Sequence, residues 1–330
     1  LFIDMQSEIT ELVPKMSRVR SKRLINRAWK YVQDSCLWSF QLGQGGFSTP
    51  QVTTAGSISC VLGSDQITCD ATASAAMLAL PFYWSPTVQQ IRAQGFSIYS
   101  IIALDSTDPN AVVFTLDRLF VDPLPFFTGV GYQMFMQYIP APVGFKRWLN
   151  ISDMFNVYSL DIWTSERAID AMDPARLYTS NPYIAAGVGQ DKRSGSATLG
   201  QQLYELWPNP QSQISYQTYY VAEAPYLVNK SDTLPAPITE EIVTQKALTW
   251  AYRDAEARKD IMAARGSGAN FLVLKKEAEG DFLARLKTLR LLDRDAVNSY
   301  MSQMSGSLRG IYPYYNSLTG RASMGRGGWR

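Results

Sequence analysis

Apolar residues recur at helical spacing towards the two ends of this chain and alternate at strand spacing between them. From Gln6 to Phe40 there is no glycine, and Val13, Leu24, Ala28, Tyr31 and Val32 mark one helical face. Pro14 stands where a new helix can begin, so the pattern predicts a short helix followed by a longer one. The run GQGGFSTP at 43–50 stops it with glycines and a proline. Near the other end, Thr239 before Glu240 and Glu241 supplies a capping hydroxyl and first-turn acids, the chemistry of a helix start. Val243, Ala247, Trp250 and Ala251 give that helix an apolar face, and GSG at 266–268 breaks it. A longer stripe follows through Phe271, Leu274, Ala278, Phe282, Leu286, Leu289, Val297, Tyr300 and Met304, which Gly280 weakens without ending.

The middle of the chain predicts strands. SISCVL and QITCDA flank a Gly-Ser-Asp turn, and IYSIIAL and AVVFTL flank DSTDPN, both in the manner of hairpins. Pairing the first about Ser64 and Asp65 sets Cys60 opposite Cys69, as a cross-strand disulfide or as two small buried thiols. The aromatic, proline-rich segment Phe120 to Trp148 suits strands and tight connections. Gly187 to Gly200 reads as a mobile polar surface loop with no apolar strand before it, and matches neither a dinucleotide fingerprint nor a phosphate loop. LYELWPNP and ISYQTYYVAEAP alternate like a hairpin, and LVNKSDTLPAPI looks like a proline-stiffened connector. The expected fold is α+β: a helical bundle of N- and C-terminal helices with a large inserted antiparallel β domain, barrel or sandwich. The boundaries are 1–42 for the N-terminal helices, 43–235 for the mainly β region, 236–305 for the C-terminal helices and 306–330 for an extended partner-binding tail.

Composition narrows the chemistry. The 330 residues contain no histidine, so no Ser-His-Asp or Cys-His arrangement and no imidazole zinc site can exist within them. The three cysteines Cys36, Cys60 and Cys69 are too few for a Cys-only zinc site. Their odd number, with no Lys/Arg-then-apolar leader pattern, points to a reduced, intracellular chain. The longest apolar run, Ala75 to Trp84, is about half of a bilayer span and holds Pro81, so the chain reads as soluble. Charged residues make up only 18% while aromatics reach 12%, which predicts a surface that meets other protein. With 31 basic against 29 acidic residues, chain-wide nucleic-acid binding is disfavoured.

Three features carry candidate chemistry. Lys15, Arg18, Arg20, Lys22, Arg23, Arg27 and Lys30 place seven cations in sixteen residues without one acid, and Arg20, Arg23, Arg27 and Lys30 share a helical face. That face suits phosphates or an acidic partner, with a plain solvated face as the alternative. The tail from Gly306 is glycine-rich and basic with no acid, a composition that stays disordered alone and orders on a partner. Asp161, Glu166, Asp170 and Asp173 cluster in sequence, which raises a glycosidase pair or an oxygen-ligand metal site. Their spacings fit no metal loop, and Asp173-Pro174 looks like a helix start, with aspartate capping. Asn150-Ile-Ser and Asn229-Lys-Ser match glycosylation acceptors, which matters only in a secreted protein. No catalytic constellation, metal site or cofactor motif emerges.

One resemblance joins these parts. The basic helix running into INRAWKYVQDSCLWSFQL, the segments TTAGSISCVLGSDQIT and VVFTLDR, the stretch LWPNP…YQTYYVAEAPYLVNKSDTLP and the closing helices resemble head-to-tail connector (adaptor) proteins of tailed bacteriophages. The resemblance implies a virion structural protein with no catalysis, assembled in the host cytoplasm and placed at the head-tail junction. It implies a homo-oligomeric ring, commonly a dodecamer, between the capsid portal and downstream tail or nozzle proteins. It implies a lumen that conducts DNA, and no membrane partner. By the same resemblance 306–330 is a portal-docking arm with Tyr312, Tyr314, Tyr315, Arg321, Arg326, Trp329 and Arg330 as its anchors. The alternatives are a nucleic-acid-binding module that uses the 15–30 helix, or a carbohydrate-acting enzyme.

Overall fold

The computed structural model describes residues 1–13, 16–79, 89–94, 97–125, 127–156, 158–193, 198–257 and 271–305. The fold is α+β. Among the described residues the helices are α1 (Phe2–Leu12), α2 (Arg18–Ser35), α3 (Ala71–Leu78), α4 (Glu166–Met172), α5 (Glu240–Glu256) and α6 (Phe271–Ser305). The chain divides into two compact units, Leu1–Gly43 with Val221–Arg330, and Gln44–Tyr220.

In the first unit α5 packs against α1, α2 and α6, and α1 packs against α2. From the predicted stripes, Ala28 and Val32 of α2, Ala247 and Ala251 of α5 and Phe282 and Leu286 of α6 fill the core. They are joined by Met5 and Ile9 of α1, which the stripes did not include, while Tyr31 and Leu274 of those stripes stay exposed. Ser17 caps α2 by accepting from the Arg20 N–H at 3.3 Å. Thr239 is the N-cap of α5, but its hydroxyl makes no capping bond, contrary to expectation, so Glu240 and Glu241 are what the first turn offers the helix dipole. The 35 residues of α6 extend about 52 Å. Its C-terminal half reaches the end of α2, where buried Asp293 accepts the Ser39 N–H at 2.7 Å and the Tyr300 hydroxyl donates to the Gly43 carbonyl.

The second unit carries the strands β1 (Leu42–Thr49), β2 (Ile58–Cys60), β3 (Gln66–Cys69), β4 (Gln89–Ala93), β5 (Ile98–Asp105), β6 (Val113–Leu116) and β7 (Tyr132–Met136). After them come β8 (Tyr138–Pro140), β9 (Phe145–Asp153), β10 (Thr179–Ser180), β11 (Ile184–Gln190), β12 (Gln202–Trp207), β13 (Asn209–Pro210) and β14 (Ile214–Ala222). Six of them form an antiparallel sheet ordered β2-β3-β6-β5-β4-β7, curled as a half-barrel around Tyr99, Ile101, Phe114 and Phe120. Its outer edges approach one another through bridges from Ile58 to Val130 and from Thr53 to Met134. Two three-stranded sheets, β1-β14-β9 and β11-β12-β8, and a parallel β10-β13 pair complete the unit. Between the smaller sheets lies an aromatic core in which Trp148 meets Phe145, Tyr204 and Tyr220 at 4.6–5.9 Å. In the first of them β1 runs beside β14, with the Ser48 and Ser215 hydroxyls 2.9 Å apart. A Cβ on Gly46 would stand 2.9 Å from the Tyr216 carbonyl, so that approach requires glycine.

Four local expectations need correction. β2 and β3 do pair, but Cys60 faces Ile67 and Cys69 faces Ile58. The turn centres on Gly63-Ser64, one residue before the expected Ser64-Asp65, with Gly63 at φ 79° and its N–H donated to the Phe120 carbonyl; the shift makes the cysteines diagonal neighbours, both buried and unbridged. β12 and β14 are not a hairpin, since β12 lies between β11 and β8 while β14 lies between β1 and β9. Part of the supposed loop 187–200 belongs to β11, whose backbone pairs with β12 through a bulge between Gly187 and Gly189. Asp173 ends a helix instead of starting one: Pro174 disfavours helical backbone at the residue before it, and Arg176 at φ 54° stops a new helix from following.

Candidate functional site

The basic helix α2 is zipped along an extended segment of the first unit, and the zipper decides what its cations can do. Asn26 exchanges two hydrogen bonds with the Leu227 backbone, at 2.9 and 2.8 Å. Gln33 exchanges two with the Ala224 backbone, at 3.3 and 3.2 Å. The Trp29 indole donates to the Pro225 carbonyl at 3.1 Å, and the Lys22 ammonium to the Val228 carbonyl at 3.0 Å. Positions 22, 26, 29 and 33 recur at helical spacing, so one stripe of α2 satisfies the backbone of 224–228 where no strand is available to do so.

Several of the expected cations are engaged by this packing. Arg20 pairs with Asp254 of α5 at 2.7 Å. Lys30 pairs with Glu223 and lies 3.9 Å from Asp34. Burial works against the Lys30 charge, but the Glu223 and Asp34 carboxylates outweigh it, and its pKa stands above the ordinary lysine value. Arg27 has no carboxylate among the described residues and lies 4.7 Å over the Trp250 ring. Arg18 and Arg23 are exposed with no ion pair among the described residues. Lys15 lies outside the described residues, as do Tyr312, Tyr314, Tyr315, Arg321, Arg326, Trp329 and Arg330 of the expected docking arm.

Between α2 and the zipped segment runs a cleft of about 530 Å³. Lys22, Arg23, Arg27 and Lys30 contribute to its lining, together with Val19, Asn26 and Tyr226, and among the described residues no carboxylate does. Tyr226 is 57% exposed, a ring held beside four cations by a backbone that α2 has fixed. Next to this face is a second cationic feature, found by no sequence signal. The buried Lys246 ammonium lies 4.3 Å from the Tyr31 ring centre, 4.8 Å from Phe282 and 5.4 Å from Trp250. Burial holds its pKa below the usual lysine value. It joins α5 to α2 and α6 through rings instead of carboxylates.

In the second unit the carboxylates from Asp161 to Asp173 do not converge on one point. Asp161 accepts from the Trp163 N–H at 2.8 Å and from the Thr164 hydroxyl, closing its own turn. Glu166 begins α4, where burial and the neighbouring Glu205 and Asp170 charges raise its pKa. Asp170 pairs with Arg176 at 2.6 Å. Asp173 accepts the Leu177 and Tyr178 N–H groups, both at 2.9 Å, and the Trp207 indole at 3.2 Å. Burial pushes Asp173 up, but those donors and Arg176 hold it below the usual aspartate range.

A buried polar network missing from the sequence reading stands behind them. Glu205 in β12 is 1% exposed and accepts from Arg176 twice and from the Gln137 amide at 2.7 Å. Burial disfavours the Arg176 charge, yet Glu205 and Asp170 raise its pKa overall. Arg92 in β4 is buried too, lies 5.6 Å over Phe135, and donates to the carbonyls of Ala175 and Arg176 at 2.8 and 2.9 Å. These groups tie the half-barrel to the β11-β12-β8 sheet and hold Arg176 in its left-handed conformation. Glu205 had one readable mark, as the lone acid in the apolar strand LYELW. Among the described residues no cluster of three or more His, Cys, Asp or Glu side chains is placed to hold a metal ion. No helix among them is long and apolar enough to cross a membrane.

No protein-family model matches this sequence, and no curated protein matches it closely enough to count as a relative.

Proposed function

We propose that this chain is a virion structural protein, a head-to-tail connector that assembles as a ring between a capsid portal and the tail. On this reading the helices from the two ends of the chain form a bundle, the β unit is an insertion within it, and 306–330 docks on the portal. The observation that carries the proposal is α6. It buries Phe271, Ala278, Phe282 and Leu286, yet it also presents Leu283 at 55% and Leu292 at 69% exposure, with Leu272 and Leu291 half exposed. A helix apolar on more than its core-facing stripe is suited to a further protein surface. The resemblance to connectors supplies what that surface would be, the neighbouring subunit of a ring.

The test is native mass spectrometry of the full chain, alone and with isolated capsid portal rings. Assembly on the portal with a fixed copy number supports the proposal, and a chain that ignores portals refutes it. A truncation ending at 305 should stay folded and lose docking. Leu283→Glu with Leu292→Glu should leave the circular dichroism spectrum intact and reduce the copy number; unchanged assembly by that double variant removes α6 from the interface.

A further inference from the structure

We infer that the cleft between α2 and residues 224–228 binds a short single-stranded nucleic acid, with phosphates on Arg23, Arg27 and Lys22 and a base stacked on Tyr226. The inference does not rest on the connector reading. The cleft is an open groove of about 530 Å³, and four cations line it without a carboxylate among the described residues. The cations run from position 22 to position 30 along α2, about 12 Å of helix axis, so they follow a linear polyanion better than a point charge. Arg23 and Arg27 are one helical turn apart and offer planar forks to successive phosphates. Lys30 lies at the far end, where Glu223 already neutralises it, which marks the limit of the anionic path.

Tyr226 selects the class of ligand. Its neighbours Pro225 and Leu227 are fixed to Trp29 and Asn26, so the ring is held at the cleft while more than half exposed. A tyrosine face beside phosphate-binding cations stacks on a base that is free of its own duplex, which means a single strand. An acidic peptide satisfies the cations equally but makes no use of the ring. Arg27 over Trp250 and Lys22 bonded to Val228 are oriented before a ligand arrives.

The experiment is fluorescence anisotropy of labelled oligothymidylate with the full chain across a salt series, with poly-glutamate as competitor. Binding should weaken with salt, and Arg23→Gln with Arg27→Gln should flatten the logarithmic salt slope by about 1.4, the share of two phosphates on a single strand. Tyr226→Ala should weaken binding roughly 5- to 150-fold with the slope kept, while Tyr226→Phe should bind as wild type. Lys276→Gln on the exposed side of α6 should change nothing. Absence of oligonucleotide binding at low salt overturns the inference. So does a Tyr226→Ala variant that binds like wild type, or a poly-glutamate affinity equal to that of the oligonucleotide, which would assign the cleft to an acidic peptide.

Discussion

Replacing Glu205 with alanine should destabilise the second unit by about 4 kcal/mol, within the ~3–5 kcal/mol typical of breaking a buried ion pair from one side. The magnitude follows from what remains. Arg176 would lose both bonds to Glu205, one of them 3.2 Å long, and Gln137 would lose its 2.7 Å acceptor. The surviving charge partner of Arg176 is Asp170, whose side chain is 56% exposed, so solvent screens it and it replaces only about 0–1 kcal/mol. Glu205→Gln keeps an acceptor of the same shape but no charge, and should lose roughly half as much. Arg176→Met with Glu205→Leu removes both charges and should return to within about 2 kcal/mol of wild type, so the pair should show strong coupling. Urea unfolding at pH 7 by circular dichroism measures the losses. Hydrogen exchange at the β12 amides assigns them to the second unit, because two units need not unfold in one transition. A Glu205→Ala variant that loses less than about 1 kcal/mol would falsify the account of the network as a charge-dependent tie.

Lys246→Met should be neutral or stabilising by up to about 2 kcal/mol in thermal melts, since it fills the same ring-lined space without a desolvated charge; a loss of several kcal/mol would show that the cation itself holds α5, α2 and α6 together. Because the folded Lys246 pKa is lowered, wild-type stability should rise as pH climbs from the folded pKa towards 10.5, and the Met variant should lack that rise. Asp173 gives a slope of the same direction in an acidic window, because a favoured charge and not a penalised one depresses its folded pKa: its contribution is present above the ordinary aspartate value of 3.8 and fades as pH falls through the folded one, which Asp173→Asn should abolish in acid titrations. Asn26→Ala removes both bonds to Leu227 and should cost about 1–3 kcal/mol, visible as faster exchange of the Leu227 amide. With thiol pKa values pushed up to about 11 and about 12, Cys60 and Cys69 should resist alkylation in the native protein at neutral pH and react on unfolding, which labelling with and without urea would report.

The sequence made local structure legible and left long-range partners unread. α2 and α6 follow their apolar stripes, and Val113–Leu116 pairs with Ile98–Asp105 as the turn DSTDPN predicts, because each depends on residues close in sequence. The basic run was visible, but its division into engaged and free cations was not: Asp254, Glu223 and Val228 stand about 200 residues or more away from the cations they meet. Asn26 and Gln33 look like ordinary surface amides until the segment they bind is placed beside them. Arg92 and Arg176 have no sequence mark that separates them from solvent-facing arginines; burial makes both structural, Arg176 against Glu205 and Arg92 against the Ala175 and Arg176 carbonyls. The cysteine register failed by one residue, since the turn centres on Gly63-Ser64, where Gly63 takes a positive φ and bonds distant Phe120.

The adjacency of β1 and β14 reaches beyond the sheet they share. The chain crosses into the second unit after Gly43 and returns after Tyr220, on neighbouring strands. Once that unit has folded, two points far apart in sequence are brought about as close as paired strands, roughly 5 Å. For α2 and α5 the long intervening chain then behaves as a short loop. Most of the entropy of closing it has already been met elsewhere, and further lengthening would add only about 0.6 kcal/mol per doubling. The interior of the β unit can therefore lengthen, shorten or exchange surface loops while the distance between the points where the chain enters and leaves it stays the same.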